Sequence, residues 1–294
     1  MEFISTLING LSSGGTYAMI ALGYTMVYGI AKMLNFAHGD IIMVGAYFMF
    51  LITVKAEADI LLAIPVAMIA CIIVGVVVER FAYRPLRGAS PLAVLITAIG
   101  VSYLLQSVGQ VLLDSSSKTV MQAKTLAPGS LDIGALSIDY STLITLAAAA
   151  IIMVGLTLFI KLTKVGRAMV AVSEDKDAAR LMGINVNFII TITFIIGSAL
   201  AAVAAFFMLM KAPTFNNTMG AMPGIKAFTA AVIGGIGSIP GAMVGGILLG
   251  VVEAISLKIP AIAPYTDAVA FSILIVILLV KPSGLLGKKR REKV

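Results

Sequence analysis

The chain has 294 residues, 60% of them hydrophobic and only 12% charged, with a formal net charge of +7 and a mean hydropathy of +1.07. Soluble domains carry about 25% charged residues and have no room to hide this much apolar surface, so the composition excludes a water-soluble enzyme or binding module. Nor does the positive charge point to nucleic acid, because most of the cations fall in connections between apolar runs, where the positive-inside rule accounts for them.

Apolar blocks lie at about 7–30, 39–54, 60–78, 90–113, 141–160, 188–210, 225–257 and 263–280. Ser90–Leu113, Ser141–Ile160 and Phe188–Met210 each reach the roughly 20 residues that a membrane helix needs, and Ile60–Val78 does so despite Pro65. Unbroken blocks, rather than short alternating strands, predict an all-α polytopic membrane protein and exclude a β-barrel. Residues 1–294 read as a single transmembrane domain with no soluble unit large enough to fold alone. The first stretch, Phe3–Ala31, is uncharged, too long for the core of a signal peptide, and preceded by Met1-Glu2 without a basic leader, so it is expected to be mature structure.

Between the first two blocks stands KMLNFAHGDIIMVGAY, Lys32 to Tyr47, which concentrates a Lys, an Asn, the single His and an Asp. Two readings are open. In the first it is a solvated turn, with Lys32 as a positive anchor and Asn35 or Asp40 capping the next helix. In the second it is a break inside a discontinuous helix, since the apolar run that follows, Ile41–Val54, is shorter than a usual span. A helix N-terminus placed at mid-membrane would suit a passing carboxylate, and Asn35, Phe36, His38 and Gly39 are then candidate pathway residues. Cys71 sits within an apolar run and reads as a small buried hydrophobe.

The connection after the third block carries Arg80, Arg84 and Arg87, and the one at 161–187 carries Lys161, Lys164, Arg167, Lys176 and Arg180. The tail at 288–294 is the most basic of all. These three are expected on the cytoplasmic side, and Asp114–Tyr140 and Lys211–Gly224, poor in Lys and Arg, on the external side. Counting back from Arg80 places the N-terminus outside if the first two blocks each cross once; a break at 33–40 would change that count by one. Because 263–280 crosses once into the basic tail, 225–257 must cross an even number of times. A broken or re-entrant element is therefore predicted around Gly234-Gly235, Gly237 and Pro240-Gly241, and Gly234, Gly235 and Gly237 join the candidate pathway residues. Gly237, Gly241 and Gly245, and again Gly246 and Gly250, recur every four residues, a spacing that lets helix backbones approach closely.

Several chemistries have no residues to carry them. There is no G-x-x-x-x-G-K-[ST] sequence to bind ATP. One His and one Cys do not make a common zinc or haem site, and no strand–turn–helix unit frames the glycines of GGIGS. Glu253 and Asp267, each near a helix end, are the main candidate intramembrane acids, few for an ion-coupled relay. No metal ligands, catalytic residues or bound cofactor are expected on this chain.

The 161–187 connection contains SEDKDAARLMGINVN. Ser173 or Asp175 can cap a short helix, acids sit near its positive end, and Gly183 stops it. Ala178, Ala179, Leu181 and Met182 give it an apolar face, which makes it either a docking knob for a cytoplasmic partner or a capped helix that merely joins two spans. The pattern Asp177-Ala178-Ala179-x-x-x-Gly183 resembles the coupling loop of permease subunits of bacterial ABC importers, with Asp in place of Glu. Gly14–Tyr47 resembles the N-terminal signature of the branched-chain amino-acid permeases, the smaller of two homologous membrane subunits. Gly166–Val186 and Ala231–Glu253 resemble two further blocks of that family in the same order, blocks shared with sugar and urea permeases. Together these stretches cover about a quarter of the chain.

The resemblance implies an importer of the bacterial inner membrane, built from this permease, a second homologous permease, two cytoplasmic ATPases and a periplasmic binding protein selecting leucine, isoleucine or valine. ATP and Mg would be bound on the ATPases. Glu174, Asp175, Asp177, Ala178, Ala179 and Gly183 would form the ATPase-coupling loop. The permease would be non-enzymatic and would alternate its access. A urea or short-amide importer is the nearest rival, and a self-sufficient secondary transporter with broken helices is the reading from another class.

Overall fold

The computed structural model describes residues 2–114, 116–133 and 136–287. The basic tail at 288–294 lies outside the described residues. Among the described residues, seven helices are long and apolar enough to cross a membrane, and Ala221–Gly234 is a shorter apolar helix. The all-α expectation holds.

Helix α1 runs from Glu2 to Ala31 and α2 from His38 to Phe50, continued by a wider π turn, Leu51–Lys55. Helix α3 (Ile60–Val78) also ends in a π segment, Glu79–Tyr83, and α4 is Pro91–Leu113. Asp59 caps α3 by accepting from the Leu61 amide at 2.8 Å, and Ser90 caps α4 with Pro91 in its first turn. After the short α5 (Met121–Thr125) come α6 (Tyr140–Leu162), α7 (Lys164–Glu174), α8 (Lys176–Leu181) and α9 (Val186–Lys211). Helices α10 (Ala221–Gly234), α11 (Ile239–Lys258) and α12 (Thr266–Val280) complete the chain.

The connection expected on the external side, Asp114–Tyr140, carries a small folded cap. It holds α5, a hairpin of β2 (Ser130–Ile133) with β3 (Leu136–Asp139), and β1 (Lys118–Thr119), which pairs antiparallel with β4 (Thr214–Phe215). The pairing ties this cap to the end of α9. It defines a capped end of the bundle, opposite the basic end that carries Arg80, Arg84, Arg87 and the 161–187 connection.

Burial sorts the helices. The spans through α2 and α9 are 67% buried, α11 50%, and α4, α6 and α12 only 11%. The last three are peripheral and present Val111, Leu112, Ile151, Leu279 and Val280 outward, as a lipid-facing surface does. Helix α1 is long but carries too many Gly, Ser and Thr to rank among the most apolar spans, and it is the axis of the bundle, with α9, α10 and α11 against it.

Its small residues explain why. A Cβ on Gly10 would lie 2.7 Å from the Val251 Cα, and one on Gly14 2.7 Å from the Ile247 Cα, while Gly246 and Gly250 face Ala18 and Gly14 in return. Gly241 and Gly245 use the other face of α11 against Gly234 and Ala230 of α10. The four-residue glycine pattern thus serves two interfaces at once, and no hydrophobic force is needed where van der Waals contact between backbones suffices.

The block 225–257 is broken, as expected, into two helices that pack side by side, the 14-residue α10 and the 20-residue α11, with the break at the basic end of the bundle. Helices α10 and α11 are joined by a turn in which Gly235 and Gly237 have φ of +105° and +91°, conformations that favour glycine. The Ser238 hydroxyl accepts from the Gly241 amide and caps α11.

Candidate functional site

The stretch between α1 and α2 is buried rather than solvated. Asn35 is 3% exposed, and His38 and Asp40 are 1% exposed. Neither Asn35 nor Asp40 caps α2, whose N-cap position is Ala37 with no side-chain acceptor. Asn35 instead accepts a hydrogen bond from the Tyr83 hydroxyl at 2.9 Å, and Asp40 accepts one from Gln106 at 2.9 Å. The capping expected of the turn reading is therefore absent, because tertiary partners on α3 and α4 take those side chains.

The His38 ring lies in an edge contact with Tyr24, centroids 4.7 Å apart, beside the backbone of Gly23. Gly23 is eight residues before the end of α1 at Ala31, so the ring sits roughly 12 Å up that helix from the basic end. Tyr24 in turn meets Phe228 of α10 at 6.0 Å, and Phe36 meets Phe228 at 5.6 Å. These four rings make an aromatic plug where α1, α2 and α10 converge.

Beside the plug, two helix N-termini touch. Gly39, in the first turn of α2, packs against Gly220, the N-cap of α10, and against Gly224. Neither terminus has a side-chain cap. Tyr24 lies across this contact, its buried hydroxyl beside the backbone of Gly39 and Gly224.

At the basic end, Asp175 caps α8: its Oδ1 accepts from the amides of Asp177 at 2.9 Å and Ala178 at 3.0 Å. Ala179 is buried beneath the helix, Asp177 forms an exposed pair with Arg180, and Ser173 bonds its own helix at the Val170 carbonyl. Glu174 is the exposed last residue of α7. Leu181 and Met182 are 89% and 82% exposed. Gly183 follows with φ +80° and open space where a Cβ would stand.

Gly183→Val should cost the loop about 1–2 kcal/mol through backbone strain alone. Faster hydrogen exchange across Lys176–Met182, with an unchanged melting temperature of the bundle, is the expected result; unchanged exchange would mean the turn does not depend on glycine.

Two contacts carry the loop to the plug. Lys176 Nζ donates to the Ala31 carbonyl at 2.9 Å, holding α8 on the last turn of α1, directly before the break. Burial, then the nearby Arg87 and Arg180, lower the Lys176 pKa. Arg87 bonds buried Glu79 and Asn187, and Thr191 donates to Glu79 at 3.0 Å, which joins the ends of α3 and α9.

A family model described as the permease component of the branched-chain amino acid transport system matches residues 6–278. The chain belongs to this family. It is 46% identical over its whole length to the high-affinity branched-chain amino acid transport system permease protein BraD of Pseudomonas aeruginosa, covering 98% of that protein. It is 43% identical to the LivH permease of Escherichia coli, again over 100% of this chain and 98% of the relative. A probable branched-chain amino acid permease of Methanocaldococcus jannaschii is 28% identical over 92% of this chain.

In this permease, Asn35, Phe36, His38 and Gly39 stand together at the break. Gly234, Gly235 and Gly237 stand apart from them, in the α10–α11 turn at the basic end, where the Leu285 and Leu286 amides donate to the Ile233 and Gly234 carbonyls. Tyr24, Gly220 and Phe228 were not singled out in the sequence. The short length of α10 and the glycine at 220 were the available signals, but only packing shows that its N-terminus meets that of α2.

Proposed function

We propose that this permease is a subunit of an ABC importer that carries branched-chain amino acids across the bacterial inner membrane, alternating its access under the drive of partner ATPases. What carries the reading is the end-to-end likeness to high-affinity branched-chain amino acid permeases. The bundle supports it with parts suited to each task. The apolar pair Leu181-Met182, thrust out on a capped helix, is a knob for a groove on an ATPase subunit. The aromatic plug and the Gly39–Gly220 contact keep the pathway shut in this state.

The Lys176–Ala31 hydrogen bond gives movement of the knob a direct route to the helix break. A second homologous permease would complete the pathway, and a periplasmic binding protein would dock on the capped end and choose among substrates. Binding at either end shifts the bundle only by its preference for one of the two states. The chain itself does no ATP chemistry; ATP and Mg belong to the partners.

Affinity-purified permease should bring down ATPase subunits, and the reconstituted complex should accumulate leucine, isoleucine or valine only with ATP. Uptake by the permease alone on an ion gradient would overturn the importer reading. Substrate-stimulated ATP hydrolysis with urea but no amino acid would overturn the substrate class.

A further inference from the structure

At the capped end, the ends of α1, α9 and α11 and the start of α6 line a cavity of ≈ 1080 Å³ beneath the 121–129 segment. Its lining joins two chemistries. Lys211, Glu253 and Ser13 present charge and a hydroxyl, while Met121, Met210 and Leu257 present apolar surface. Both charged groups are positioned by neighbours. Lys211 donates to Ser13 Oγ at 2.7 Å. Glu253 pairs with Lys226, whose ammonium also lies 2.7 Å from Asp267 and 6.0 Å from the centre of the Tyr17 ring.

Lys226 and Glu253 are 12% and 14% exposed, so the pair is largely out of water, with Glu253 on the cavity wall. The lining itself carries cations at Lys124, Lys211 and Lys258 and acids at Asp139 and Glu253, so charges of both signs face the cavity. A solute of one charge gains from one partner and is repelled by the other, whereas a zwitterion is matched at both ends. An uncharged amide or sugar would gain little from opposed charges, whose desolvation is a cost.

We propose that this cavity is an entry site for a zwitterionic α-amino acid with an aliphatic side chain. Lys211 takes its carboxylate, Glu253 its ammonium group, and the methionine–leucine wall its side chain. The assignment rests on the amino-acid importer reading and adds to it a discriminator against uncharged solutes within the permease itself. The Lys211 and Glu253 contacts are charge-assisted hydrogen bonds, about twice as strong as neutral ones.

The test uses the complete importer in proteoliposomes with loaded binding protein, reading leucine uptake and ATP hydrolysis together. Lys211→Gln and Glu253→Gln should each lower uptake about tenfold while ATP hydrolysis stays within about twofold of the unsubstituted complex. Glu253→Gln leaves Lys226 its Asp267 partner, and Lys211→Arg, which keeps the cation, should recover most of the uptake. Unchanged uptake in both glutamine variants overturns the site. So does a parallel fall in uptake and hydrolysis with weaker capture of the binding protein, which would make these side chains part of its docking surface.

A measurement independent of these variants uses Ser13→Cys, whose labelling by a small thiol reagent should slow with leucine and not with urea. Cys71 is buried and should contribute no background. Equal labelling with both solutes overturns the proposal. If the unsubstituted importer moves no branched-chain amino acid, it is the amino-acid reading that fails.

Discussion

Gly39→Val is expected to abolish transport and to lower the stability of the bundle by roughly 3 kcal/mol or more, the upper end of overpacking costs. The obstacle is backbone on both sides: a Cβ at Gly39 would run into the carbonyl of Gly220, and one at Gly220 into the carbonyl of Gly39. A flexible side chain could swing away, but here α2 and α10 would have to part at their N-termini. That would pull Tyr24, His38 and Phe228 out of contact. Thermal unfolding in detergent and uptake in vesicles would measure both effects. Gly100→Ala on α4 and Gly155→Ala on α6 are the controls, since nothing lies within 4 Å of a Cβ at either position. Both should be neutral or gain up to about 1 kcal/mol from helix propensity. A Gly39→Val protein that melts like the unsubstituted one would show that the two helix ends can separate freely.

Replacing Leu181 and Met182 together by Asp should reduce association with the ATPase subunits at least tenfold and stop ATP-driven uptake. The bundle should melt unchanged. The physical ground is the contrast in burial along one short helix: Leu181 and Met182 stand almost fully in solvent, while Ala179 is buried against the bundle. Two adjacent exposed apolar side chains at the basic end are costly to leave uncovered, and a groove on a partner is what would cover them. Co-purification of the ATPase is the direct readout. Normal association would place the coupling contact elsewhere in 161–187.

Much of the site's chemistry was legible because it is local. Asp175 capping a short helix, and Gly183 ending it with a left-handed turn, follow from residue types and spacing. A break in 225–257 followed from charge parity, and the structure divides that block into the short apolar helix α10 and the span-length α11. The glycines of that block were a different matter. Gly234, Gly235 and Gly237 looked like pathway residues because a glycine-rich break at mid-membrane needs a cavity beside it. The break instead forms a tight turn at the basic end, closed by Leu285 and Leu286. Sequence cannot give depth, because a turn at a membrane surface and one at its centre use the same residues.

Length, hydropathy and the placement of Arg and Lys sufficed to establish a polytopic helical bundle, because the bilayer imposes a span length and a charge bias that can be read in one dimension. Packing settled the rest. Whether His38 lay in a solvated turn depended on Tyr83 and Gln106 reaching it from α3 and α4 to hold Asn35 and Asp40. Which apolar faces meet lipid and which meet protein was equally hidden, since lipid tails and protein interiors ask for the same side chains. The pairing of Lys226 with both Glu253 and Asp267 joins residues far apart in the chain, and no spacing rule connects them.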